Sequence, residues 1–188
     1  NVTKHGFLVR EGDALERLAG VSKIAFDKTG TLTYGMPQVT AVWAAGTAIG
    51  KEQLYRLAAA AEASSEHPLG KAVVRGFQQL YGTALPRAEQ FHMIVGSGVT
   101  ACIEGKKVCA GNESLMEAVG AVLSKEAKDR AEEHIAQGST VIYVAVDSAF
   151  AGFLALTDTV RRESAVMMQD LTRLGVQPVL LTGDNENA

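Results

Sequence analysis

Seven consecutive residues, Asp27-Lys28-Thr29-Gly30-Thr31-Leu32-Thr33, carry the clearest chemistry in this chain. They follow Lys23-Ile24-Ala25-Phe26, a run short and apolar enough for a buried strand. That arrangement puts one carboxylate at the carboxyl end of a strand, where open α/β sheets keep their ligand crevices. The Thr and Gly residues after it offer hydroxyls and a pliable backbone whose N–H groups can hold a phosphate. A carboxylate at such a point can attack phosphorus. The plain alternative is an Asp in a capped strand-to-helix turn.

A second element, Thr182-Gly183-Asp184-Asn185, follows another strand-like run, Val176 to Leu181. Alone it is a common turn sequence. In this order the two elements resemble the phosphorylation signature and the second phosphate-contacting element of P-type ATPases, ion pumps whose catalytic domain is haloacid-dehalogenase-like. The resemblance implies that Asp27 is the phosphorylated nucleophile, with Lys28 and Thr29 beside it. Thr182 and the N–H groups near Gly183 would bond the transferred phosphoryl oxygens, since donors aimed at developing charge are how such sites gain rate. It also implies Mg²⁺ held by Asp27 and the Thr29 carbonyl. Phosphatases of the same group carry a second Asp two residues after the nucleophile, as general acid and base. This chain has Thr29 there, and a hydroxyl is a poor base for water. An acyl phosphate at Asp27 should therefore outlive one in a phosphatase, which favours a pump. Thr157-Asp158-Thr159-Val160-Arg161 resembles the family's domain-junction hinge; a surface Asp–Arg pair at a helix start is the alternative.

Between these elements lie Ser65-Glu66-His67-Pro68-Leu69, Gly96-Ser97-Gly98 and Gly111-Asn112. With Glu62 they resemble the nucleotide-binding elements of heavy-metal-transporting P-type ATPases. The resemblance implies that Glu62 accepts a hydrogen bond from the adenine amino group and that His67 orients the nucleotide. Gly96 and Gly98 would let the backbone lie against it, and Asn112 would bond the ribose. Gly-Ser-Gly is neither the Walker phosphate loop nor the dinucleotide fingerprint. ATP is thus the expected substrate, with the transported heavy-metal ion bound elsewhere.

The elements needed to position these groups can be read from periodicity. Gly12 to Gly20 reads as a short helix, and Gln38 to Ala44 as a strand. Lys51 to Ser64 carries Leu54, Leu57, Ala58 and Ala61 at helical spacing, and a second helix runs from Pro68 to about Tyr81. Val99 to Ala110 reads as a hairpin turning at Gly105-Lys106, which sets Ile103 against Val108 and Cys102 against Cys109. A short helix from Ser114 and a longer one from Ser124 to about Gln137 follow, and then a hairpin of Thr140 to Val146 with Phe150 to Leu156. A helix with Val160, Ser164, Met167, Met168 and Leu171 on one face leads to the last strand. The expected fold is α/β: an incomplete haloacid-dehalogenase-like parallel sheet, residues 1–35 and 153–188, interrupted by an inserted α+β nucleotide-binding domain, residues 36–152. Domain termini lie close together, which makes such an insertion tolerable.

Composition bounds the alternatives. The chain has 188 residues, 47% of them hydrophobic, and a net charge of -3. No basic stripe suggests nucleic acid, and no stretch of about 18 apolar residues is present to span a bilayer. The two cysteines could in principle bind a metal or oxidise, but further tetrahedral ligands are not apparent, and packing is the better reading. The start at Asn1 and the end inside a motif suggest an excised piece of something longer; the resemblance implies a cytoplasmic domain of an integral plasma-membrane protein of bacterial type. Its partners would be the membrane helices and actuator domain of the same polypeptide. The Lys and the Gly-Asp-Gly-x-Asn-Asp element that the family places further on are absent, so the Mg²⁺ site reads as incomplete. The isolated chain is expected to bind nucleotide and barely to phosphorylate itself. Two other readings are a phosphatase with a large cap domain and a regulatory nucleotide-binding module.

Overall fold

Two short apolar runs far apart in sequence pair as strands. In the computed structural model, which describes residues 12–46, 48–82 and 84–181 and only the backbone of Lys28 and Thr29, β1 (Lys23–Asp27) lies parallel to β8 (Gln177–Leu181). The register sets Ile24 against Pro178 and Asp27 against Leu181. A two-stranded sheet makes every strand an edge, so Pro178 with its missing N–H is accommodated there. With α1 (Asp13–Ala19) and α6 (Arg162–Arg173), these strands form one unit, drawn from residues up to 34 and from 160 onward. On α6, Ser164 is buried, while Met167, Met168 and Leu171 are half-buried.

The second unit takes in residues 35–159. The expected second crossing lay at residue 152/153; here β7 (Ala149–Val160) carries the chain on as a strand before α6 begins. Its sheet has six strands, in the order β2 (Thr33–Ala44), β7, β6 (Thr140–Val146), β5 (Lys106–Gly111), β4 (Gly98–Ile103) and β3 (Ala88–Ile94). Strand alternation splits its side chains between two cores. Val99, Ala101, Ile103, Val108, Ile142, Val144 and Leu154 face α2 (Lys51–Glu62) and α3 (Pro68–Tyr81). Cys109, Tyr143, Ala145 and Phe153 face the other way, with Leu115 of α4 (Glu113–Ala118) and Ala131 of α5 (Lys125–Ala136). The run Ala58 to Ala61 is fully buried, so α2 approaches the sheet closely.

Two expectations need correction. The β4–β5 hairpin turns at Glu104-Gly105, with φ of 52° and 78°. Positive φ at both central residues is the two-residue turn whose twist suits a hairpin. The register therefore shifts by one residue: Ile103 pairs with Lys106, Cys102 with Lys107 and Thr100 with Cys109. The thiols are not opposite one another; both are free, Cys109 buried and Cys102 half-buried. Strand β3 was not foreseen. Its register slips between Glu89 and His92 around Gln90, at φ 49°, and this bulge erases the alternation that marks a strand.

Tyr55 sits in the first core, 1% exposed, edge-on to Phe77 at 5.4 Å between ring centroids. Among the described residues its hydroxyl has no hydrogen-bond partner. Burial pushes its pKa up to about 12. An unpaired buried hydroxyl contributes little, so Tyr55→Phe should leave stability within about 1 kcal/mol of the wild type, or raise it. The phenol stays protonated longer in the folded state than in the unfolded chain. Its contribution is therefore full below about pH 10 and is lost as pH rises towards 12. Urea unfolding at about pH 8 and about pH 11 should show this fall in the wild type and a smaller one in the Phe variant.

Candidate functional site

Asp27 is the last residue of β1, and its side chain is exposed at the strand's carboxyl end. The chain then makes one π-helical turn, Lys28–Leu32. Arg161 and Ser164 tie this turn down. The Arg161 guanidinium donates to the carbonyls of Thr33, at 3.0 Å, and Gly30, at 3.3 Å. Ser164 Oγ donates to the Leu32 carbonyl at 2.9 Å. The Arg161 guanidinium also lies over the Tyr34 ring, 4.9 Å from its centroid. In the other unit, Asp158 accepts from the amides of Gly35 and Met36, each at 3.0 Å. The hinge-like segment thus fixes backbone turns through both its Asp and its Arg. Thr182 and Gly183 lie outside the described residues; they follow in sequence on Leu181, the residue paired with Asp27.

The second unit holds the other expected residues. Glu62, His67, Gly96, Gly98 and Asn112 all line one cavity of about 370 Å³. Sequence reasoning did not foresee that Met93, Ile94 and the β6 residues Thr140 to Ile142 share its wall. Most of the lining is apolar, with a few convergent polar groups, which is the usual character of a small-molecule site.

Each polar group is held by local structure. Glu62 ends α2 and is 6% exposed. Burial pushes its carboxyl pKa up, and a hydrogen bond from Ser65 opposes that shift. His67 is the N-cap of α3, with Pro68 just inside the helix, where its missing N–H costs nothing. His67 Nδ1 accepts from the Leu69 amide at 3.3 Å. A neutral ring capping in this way carries its proton on Nε2, leaving a donor for another partner.

Asn112 caps α4. Its Oδ1 accepts from the Leu115 amide at 3.1 Å, and its Nδ2 donates to the Gly96 carbonyl at 2.9 Å. It therefore straps the 96–98 loop to the start of α4. Gly98 is at φ 144°, and a Cβ there would run into the Ala110 carbonyl and the Gly111 Cα of the facing strand. Its lack of a side chain serves strand approach, whereas a Cβ on Gly96, at φ 75°, would meet nothing within 4 Å. The expectation that both glycines clear space for a ligand thus has a different physical basis at Gly98.

Among the described residues, no group of three or more His, Cys, Asp or Glu could hold a metal ion, and no helix is long and apolar enough to cross a membrane. A family profile for haloacid dehalogenase-like hydrolases matches residues 22–188. The chain belongs to that family. Within it, this haloacid dehalogenase-like chain is 40% identical over 187 residues to the zinc/cadmium/lead-transporting P-type ATPase of Shigella sonnei, covering 98% of this chain and 24% of that protein. It is thus about a quarter of the length of that relative. The crystal structure of a zinc-transporting PIB-type ATPase in the E2.Pi state matches 99% of this chain and 30% of its own, at a TM-score of 0.74 and 38% identity. The N-domain of HMA6, a copper-transporting P-type ATPase, matches over 65% of this chain and 99% of its own, at a TM-score of 0.55 and 27% identity. The resemblance to heavy-metal P-type ATPases drawn from the motifs, and the α/β fold it implied, are borne out across nearly the whole chain.

Proposed function

We propose that this chain is the ATP-binding and phosphorylation region of a heavy-metal-translocating P-type ATPase, on the cytoplasmic side of the membrane. The observation that carries this reading is the single cavity onto which Glu62, His67, Gly96, Gly98 and Asn112 converge from separate elements. A volume of about 370 Å³ is near the low end for ligand pockets. It suits a purine and its ribose, with the phosphates outside. Leu69, Ile94, Val99 and Ile142 would sandwich the base, Glu62 would take its amino group and His67 Nε2–H would donate to the nucleotide.

A carboxylate oxygen of Asp27 would attack the γ-phosphorus, the bond to the β–γ bridging oxygen would break, and ADP would leave. Water would later attack phosphorus and return the carboxylate, releasing phosphate. Thr182 and Gly183 are the proposed donors to the phosphoryl oxygens, and Lys28 a neighbouring cation. The oxygen donors suit Mg²⁺, which is commonly held by one or two carboxylates together with water and substrate phosphate. Asp27 and the Thr29 carbonyl would hold it, and its charge would offset that on the phosphoryl group. Thr29 at the position of a phosphatase's second Asp, and transporters among the relatives, favour the pump over the phosphatase.

Calorimetric titration with ATP, ADP and AMP tests the reading. His67→Ala removes both the ring donor and the helix cap, a loss of about 1 kcal/mol in capping alone. His67→Asn restores a good cap and not the ring donor. Both variants should bind ADP about tenfold more weakly than the wild type. Wild-type affinity in His67→Asn would reduce His67 to a cap, and a wild-type chain that binds no adenine nucleotide would end the proposal.

A further inference from the structure

The turn that follows Asp27 is held from outside by the start of α6. Residues 28–32 lie beyond the described β1–β8 pairs, which run to Asp27 and Leu181. Four donors reach the carbonyls of Gly30, Leu32 and Thr33. The Arg161 amide and Ser164 Oγ both donate to the Leu32 carbonyl, each at 2.9 Å. The Arg161 guanidinium spans the other two, reaching Gly30 through Nη2 and Thr33 through Nε. All of these residues belong to one compact unit. A serine inside a helix ordinarily turns its hydroxyl to water or back onto its own helix. Ser164, 7% exposed in the first turn of α6, instead sends it to a carbonyl 132 residues away in sequence. A peptide group is planar and trans, so fixing a carbonyl also fixes the N–H of the next residue on the opposite side. Holding the Gly30 and Leu32 carbonyls therefore sets the Thr31 and Thr33 amides as well, and with them the path of the chain out of Asp27.

We infer that Arg161 and Ser164 are positioning residues for phosphoryl transfer, which hold the turn after Asp27 in the geometry that presents its carboxylate and the neighbouring amides to the phosphoryl group. This rests on the phosphorylation reading above. Neither residue lines the nucleotide cavity, so their loss should slow the chemical step and leave nucleotide affinity alone. Positioning of this kind is costly to lose, since a shift of about 1 Å can slow a step on the order of 10²-fold. Arg161 acts through its fork more than through its charge. A lysine keeps the cation but lacks the rigid pair of donors that bridges Gly30 and Thr33.

Single-turnover labelling of the full-length protein from γ-phosphate-labelled ATP, over a range of ATP concentrations, tests this. At saturating ATP, Arg161→Lys should form acyl phosphate about tenfold more slowly than the wild type, and Ser164→Ala about fivefold more slowly. The ATP concentration giving half the maximal rate, and ADP affinity by calorimetric titration, should stay within about twofold of the wild type. Retained ADP binding also shows that each variant is folded. Ser164→Thr keeps the hydroxyl and should label within about twofold of the wild-type rate. Wild-type rates in Arg161→Lys and Ser164→Ala, or losses confined to nucleotide affinity, overturn the inference. So does a Ser164→Thr variant as slow as Ser164→Ala. Hydrogen–deuterium exchange over residues 28–34 without nucleotide gives an independent readout. Arg161→Lys and Ser164→Ala should each speed it about fivefold or more, and unchanged exchange overturns the inference. If the wild type forms no acyl phosphate, the phosphorylation reading fails on its own, and exchange still decides whether α6 holds the turn.

Discussion

Asp27→Asn is expected to reduce ATP-dependent phosphorylation of the full-length protein to background, a loss on the order of 10³-fold or more. The exchange is nearly isosteric. An amide oxygen carries no full negative charge and does not form a stable acyl phosphate, so the step loses its nucleophile. The fold gives no reason for a structural loss. Asp27 pairs with Leu181 through the backbone, and its side chain is exposed at the end of β1. Asp27→Glu separates chemistry from position. It keeps the carboxylate and adds one methylene, and a misplacement of about 1 Å can cost on the order of 10²-fold. The measurement is label transferred from γ-phosphate-labelled ATP to acid-precipitated protein, with hydroxylamine release to identify an acyl phosphate. Metal-stimulated ATP hydrolysis should fall in parallel. Labelling of the Asn variant at the wild-type rate would move the covalent intermediate away from this residue.

Asp27 was legible because its motif ends a strand whose apolar run is unambiguous, and the parallel partner Val176 to Leu181 reads equally well. The start of α3 was legible for a similar reason, since Pro68 at the first helical position leaves few other conformations. The structure departs from the sequence reading at two places where backbone with positive φ decides. Glu104 occupies the left-handed region beside Gly105, so the hairpin turns one residue early and the two cysteines part. Gln90 does so in β3 and hides a strand. A non-glycine residue at positive φ leaves no mark in composition, because tertiary contacts hold it there. The contact made by Ser65 escaped for a different reason. A serine two residues before His-Pro is unremarkable until the fold sets its Oγ against the His67 amide and on the cavity wall. Arg161 could have been suspected of more than an ion pair, since it stands between a strand and a helix; that its guanidinium binds loop carbonyls depends on the fold of residues 28–33.

Gly98→Ala is expected to be far more damaging than Gly96→Ala, and the surroundings of the two positions give the reason. Gly98 pairs with Gly111 across β4 and β5, and each would intrude on the other if it carried a side chain. A Cβ at 98 meets the Ala110 carbonyl and Gly111 Cα, backbone atoms that cannot swing away, at a φ that L-residues rarely adopt. Strain and clash together should cost at least about 3 kcal/mol. The melting temperature should fall by roughly 10 °C. Gly96 has open space around its missing Cβ, so Gly96→Ala should cost only about 1–2 kcal/mol, the ordinary penalty for the left-handed region. The same asymmetry should appear in binding. The 96–98 loop is strapped to β5 and α4 through Asn112, whose amide donates to the Ser97 carbonyl at 2.8 Å and whose Nδ2 reaches Gly96. Separating the strands at Gly98 slackens that strap, so Gly98→Ala should lose ADP binding along with stability. Thermal melts of both variants, with and without ADP, distinguish the alternatives. If Gly98→Ala melted at the wild-type temperature and lost only the nucleotide, the glycine would be there for the ligand, and the strand-packing account of this position would be wrong.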